Sequence, residues 1–85
     1  MNQKLSDTIT AIWERATGVD GLTPEDNFFD LGGDSLVAAK ILALVDREYG
    51  LEAEMNLLFD NPTIEEFVEA VDEELAAVPQ RGAGA

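Results

Sequence analysis

Apolar residues recur with a period near 3.6 in three separate segments of this 85-residue chain, and nowhere do they alternate as in a half-buried strand. Leu5, Ile9, Ile12, Trp13 and Ala16 form the first stripe, about 100° wide. Ala38, Ile41, Leu42, Val45 and Tyr49 form the second, and Ile64, Phe67, Val68, Val71 and Leu75 the third. Three one-sided helices in so short a chain can only bury their stripes against one another. The pattern therefore predicts an all-α fold: a small bundle of three main helices plus a short third helix, with a long loop between the first two. Ser6 or Asp7 is the expected cap of the first helix and Gly18 its end. The second should start at Asp34 or Ser35 and stop at Gly50. Leu57, Leu58 and Phe59 suit a short turn before Pro62, and Thr63 with Glu66 makes a capping box for the last helix.

The connection over residues 18–34 holds four glycines and Pro24. Loops of that length in small domains are either functional or disordered. Phe28, Phe29 and Leu31 argue for order, since they would pin the loop to the core. Residues 1–4 are expected to be flexible and 5–77 to form the domain. The tail over 78–85, with nothing apolar to bury, is expected to be disordered.

Composition removes several kinds of function. There is no cysteine and no histidine, so disulfides, Cys/His zinc sites and thiol chemistry are excluded. Eighteen acidic residues against five basic ones leave a net charge of −13, a surface that repels nucleic acid and anionic membranes. No run approaches the roughly 18 apolar residues of a membrane span. A cytoplasmic monomer that meets proteins rather than nucleic acid or membrane is the expectation.

The stretch Asp30-Leu31-Gly32-Gly33-Asp34-Ser35-Leu36 carries the functional signal. Gly33-Asp34-Ser35-Leu36 is shared with a class of serine hydrolases, but a serine hydroxyl needs an adjacent base. Histidine is absent, and Lys40 points to another side of the helix that Ser35 opens. Asp26, Asp30 and Asp34 do not form an EF-hand loop, because no register puts glycine sixth and glutamate twelfth. A purely structural reading makes Asp34 or Ser35 a helix cap. It leaves unexplained the Gly-Gly pair and a second apolar face on the same helix, where Leu36, Ala39 and Ala43 lie beside Lys40 and Arg47. That face is either covered by the loop or free to meet a partner.

The run "DNFFDLGGDSL", together with "NPTIEEF" opening the last helix, resembles acyl and peptidyl carrier proteins over about residues 5–76. The resemblance implies a non-catalytic carrier. Ser35 would be the attachment residue for a 4′-phosphopantetheine arm taken from coenzyme A, within the motif Gly32, Gly33, Asp34 and Leu36. A phosphopantetheinyl transferase would be the modifying partner. An adenylating or other loading enzyme and condensation, tailoring or thioesterase enzymes would be the later ones. Leu36, Ala39, Lys40, Ala43 and Arg47 would be the partner-docking residues, Phe28, Phe29 and Leu31 would anchor the loop, and no metal is implied.

Phe28-Phe29-Asp30-Leu31-Gly32-Gly33-Asp34-Ser35 looks most like a peptidyl carrier of nonribosomal peptide or related antibiotic biosynthesis. The acidic surface and Met1 resemble a free-standing carrier, with an excised domain as the alternative. An acyl carrier of a polyketide or fatty-acid pathway is a further reading, weakened by Lys40 and Arg47 where such carriers place acids. An unmodified acidic helical interaction module and a minimal hydrolase are the readings from other classes.

Overall fold

The computed structural model describes residues 3–77, which form four helices: α1 (Gln3–Thr17), α2 (Ser35–Tyr49), α3 (Met55–Phe59) and α4 (Ile64–Ala77). Residues 1, 2 and 78–85, which include the tail expected to be disordered, lie outside the described residues. α1 packs against both α2 and α4, and α3 closes the remaining side between α2 and α4. The three stripes meet as the periodicity requires. Leu5, Ile9, Ile12 and Trp13 of α1, Ala38, Ile41, Leu42 and Val45 of α2, and Ile64, Phe67, Val68 and Val71 of α4 are all buried. Ala16, Tyr49 and Leu75 end their stripes half-buried at the margin of this core.

The helix boundaries follow local chemistry, with one correction. Among the described residues α1 begins at Gln3, not after a cap at Ser6 or Asp7, so Lys4 lies within the helix. Leu5, in its first turn, is already buried in the core. Gln3 Nε2 donates to Asp7 Oδ1 at 2.9 Å, an i, i+4 pair along the first turns. At α4 the capping box is complete. Glu66 N donates to Thr63 Oγ1 at 3.1 Å, and Glu66 Oε1 accepts from both Thr63 Oγ1 (3.0 Å) and Thr63 N (3.3 Å).

The loop over residues 18–34 has almost no helix or strand, yet its polar backbone is tied down at several points. Glu14 Oε2 accepts from the backbone N–H groups of Gly21 and Leu22. Phe28 N donates to the Pro62 carbonyl at 2.6 Å, and Ile64 N and Glu65 N donate back to the carbonyls of Asp26 and Pro24. An isolated antiparallel bridge between Asn27 and Thr63 lies within this seam. The start of α4 therefore holds the loop in place, and the loop in turn occupies backbone groups that the helix start leaves open.

Phe28 anchors the loop from inside. It is completely buried, edge-on to Trp13 with ring centroids 5.9 Å apart, and 6.1 Å from the ring of Phe59. Trp13 also meets Phe67 at 5.9 Å. Such pairs add about 0.5–1.5 kcal/mol each to the area they bury. Their packing offsets one cost: Trp13 Nε1 is buried with no hydrogen-bond partner among the described residues. Phe29 departs from the expected anchoring role. It is 52% exposed and lies stacked on Phe59 at the surface, 5.9 Å between centroids and 26° between planes. The two rings sit in one hydrogen-bonded turn and meet edge to face at 5.4 Å, with Phe28 turned into the core and Phe29 left on the outside against Phe59.

Candidate functional site at the start of the second helix

The start of α2 is built by Asp34. Its φ of −140° and ψ of −173° are extended, its side-chain Oδ1 accepts from Val37 N at 3.0 Å, and its carbonyl accepts from Ala38 N at 2.8 Å. Asp34, and not Ser35, is thus the N-cap. That assignment frees the serine. Ser35 is the first helical residue, is exposed, and its side chain has no hydrogen-bond partner among the described residues.

The two glycines before the cap serve different purposes. Gly32 has φ of +79°, a left-handed conformation costly for residues with a Cβ. It closes a turn in which Leu31 N donates to the carbonyls of Asn27 and Phe28, Gly32 N to that of Phe29 and Gly33 N to that of Phe28. Gly33 is constrained from inside the molecule. A Cβ there would lie 2.5 Å from the Phe28 ring, well inside contact distance. The missing side chain of Gly33 is space that Phe28 fills. The core anchor Phe28 and the Gly-Gly-Asp-Ser turn are one packing unit.

The remaining sequence-predicted residues fall on the outer side of α2. Leu36, Ala39, Lys40, Ala43 and Arg47 are all exposed, and Leu36 is 67% exposed. The loop does not fold over this face. Beyond Ser35, the structure adds two residues that the sequence reading had assigned elsewhere or passed over: Phe29 and the half-buried Phe59 form an aromatic surface. No sequence signal separates Phe29 from Phe28, because the turn that holds both decides which ring faces inward. None was available for Phe59, whose exposure depends on how α3 docks.

Ser35 fits a phosphodiester on physical grounds. The N–H groups of Ser35 and Leu36 belong to the first turn of α2, whose partners within the helix are missing, and the helix dipole is positive there. Helix starts of this kind accommodate phosphate. Lys40 lies further along the exposed side of α2, and no histidine exists to activate the hydroxyl. Among the described residues no three acids gather as a metal-binding group. No helix among them is long and apolar enough to cross a membrane.

Comparison with known proteins agrees with this construction. A family model for the phosphopantetheine attachment site matches residues 7–71. Tyrocidine synthase 3 of Brevibacillus parabrevis is 44% identical over 63 residues, which are 74% of this chain and 1% of that protein. BlmI, a type-II acyl carrier protein of Streptomyces verticillus involved in bleomycin biosynthesis, superposes with a TM-score of 0.82 at 30% identity, covering 86% of this chain and 88% of BlmI. The peptidyl carrier protein in a complex with the phosphopantetheine transferase Sfp and coenzyme A superposes with a TM-score of 0.77 at 39% identity, over 81% of this chain and 90% of that one.

The fold and the serine at a capped helix start define a helical carrier domain. The chain belongs to the phosphopantetheine-attachment family, whose prosthetic group is 4′-phosphopantetheine. It spans about one hundredth of the length of the curated synthases it matches.

Proposed function

We propose that Ser35 carries a 4′-phosphopantetheine arm and that the chain holds aminoacyl or acyl intermediates for nonribosomal peptide synthesis or a related antibiotic pathway. The arm, when bound, supplies a thiol that holds its cargo as a thioester. This chain's residues do the rest. Ser35 offers the oxygen that accepts the arm, Asp34 holds the first turn of α2 open around it, and Gly33 seats that turn on Phe28. The base comes from the phosphopantetheinyl transferase, so the lack of histidine is no obstacle. The observation that carries this reading is the exposed, unpartnered Ser35 side chain at the capped start of α2.

Leu36, Ala39, Lys40, Ala43 and Arg47 form the stripe that we assign to docking. It is apolar at its centre and lies next to the attachment residue, as a surface recognised together with Ser35 must be. The partners in this reading are the transferase, an adenylating or loading enzyme, and later condensation, tailoring or thioesterase enzymes. The chain is itself no catalyst, and its setting is the cytoplasm, where coenzyme A is drawn upon.

The test is transfer from coenzyme A by a promiscuous phosphopantetheinyl transferase, read by intact mass. One arm should add to the wild type and none to Ser35→Ala, whose helicity by circular dichroism should stay the same. An unmodified wild type alongside a control carrier that is modified would overturn the reading. Ester hydrolysis lost in Ser35→Ala would instead point to a hydrolase.

A further inference from the structure

The chain has five basic residues against eighteen acidic ones, yet three of the five line one groove. Two adjoining depressions between α1 and α2 share Arg15 and Leu44. The larger, of about 580 Å³, also holds Arg47, and the smaller, of about 300 Å³, also holds Lys40. Ala11, Ile12, Ala16, Ala43 and Leu44 supply its short apolar surface. Arg15, Lys40 and Arg47 are exposed, and none makes an ion pair among the described residues despite the acidic excess. Arg15 and Arg47 stand in the last turns of α1 and α2, where the helix dipole favours a cation. Lys40 stands in the middle of α2, where that explanation does not apply.

We propose that this groove docks an acidic segment of a partner protein, its carboxylates meeting Arg15, Lys40 and Arg47 and a short apolar side chain lying on the alanines. It deepens the docking reading above, and rests on the outer side of α2 being a contact surface, but not on the arm. α2 alone cannot form the site, because Arg15, Ala11 and Ala16 come from α1. The groove runs beside residues 40–47 of α2, about 10 Å of helix at 1.5 Å per residue, which matches two turns of a partner helix. Charge sets the occupant. Asp7 and Glu48 also line the larger depression, and Asp7 already accepts a hydrogen bond from Gln3. Arg15, Lys40 and Arg47 have no ion-pair partner among the described residues. The net charge of −13 opposes a long-range approach by an acidic protein, but screening at physiological salt confines that field to about 8 Å. The groove thus acts at contact, fixing how a partner sits once it has arrived.

The probe is a capped helical peptide of about 15 residues, long enough to hold some helix, with glutamates along one face and alanine and leucine between them. Titrated into the unmodified chain, it should shift the backbone amide resonances of Ala11, Arg15, Ala43, Leu44 and Arg47. Arg15→Glu should weaken this binding about fivefold, the scale of a lost exposed ion pair. Lys4→Glu changes the net charge equally on the same helix but outside the groove, and should leave binding close to wild type. Equal losses in the two variants, shifts elsewhere on the surface, or concentration-dependent shifts without peptide (a second copy in the groove) would each overturn the proposal. Because the unmodified chain is used, failed arm transfer to Ser35 and failed peptide binding count against different readings.

Discussion

The two sides of α2 share one backbone and similar apolar content, yet they meet opposite surroundings. Ala38, Ile41 and Val45 are fully buried in the core, where α2 packs against α1 and α3, and Leu42 is nearly so. Leu36, Ala39 and Ala43 face outward with Lys40 and Arg47. Leu36 is larger than Ala38, so residue size does not decide which side is core. What decides is register: the buried residues follow the 3.6-residue period that other helices complete, and Leu36 lies across the helix from it. The exposed Leu36 beside Ser35 is not used by the core and leaves an apolar contact on the surface.

That contrast can be broken by substitution, starting with the core. Phe28→Ala should cost about 3–5 kcal/mol, because the ring is fully buried and supports both Trp13 and the Gly33 turn. A domain of this size holds only about 5–15 kcal/mol in total, so the midpoint of urea unfolding should fall steeply. Ile41→Ala on the inner side of α2 should follow at about 2–5 kcal/mol in the same assay. Gly33→Ala should cost about 1–3 kcal/mol, since its Cβ would force the Phe28 ring or the turn to move. It should also slow arm transfer to Ser35, and unchanged stability would disconnect the motif from the core. Asp34→Ala removes the N-cap and should cost about 1 kcal/mol, with Asp34→Asn recovering most of it.

The smallest expected stability effect is Leu36→Asp on the outer side, within about 0.5 kcal/mol of wild type. Partner-dependent loading, measured as aminoacyl transfer to the arm, should drop by much more than stability does. Should Leu36→Asp lower the unfolding midpoint as far as Ile41→Ala, the two sides of α2 would not be distinct.

Much of this was legible in the amino-acid order. The α2 start, its stop at Gly50 and the Thr63–Glu66 box rest on contacts only a few residues apart, and the structure has each of them. Ser35 stood out because the surrounding motif was intact. The start of α1 is less legible: a Ser-Asp pair is a good cap in isolation, yet α1 runs past it and Leu5 is buried. Hydrophobicity alone does not say which of the adjacent Phe28 and Phe29 rings turns inward, so the exposure of Phe29 is not legible in the sequence.

Local periods, caps and breakers in the chain settle that it forms helices, where most of them end, and which residue of the loop–helix junction offers a hydroxyl. They act over one or two turns, within reach of sequence spacing. The opposite exposure of Phe28 and Phe29, the pressure of Phe28 against Gly33, and the meeting of Arg15 with Lys40 and Arg47 are of another kind. Each joins segments that are apart in the chain or turns on which side of the backbone faces the core. Packing chooses among such contacts by the volume and charge of all the helices at once, so they exist only in the folded molecule.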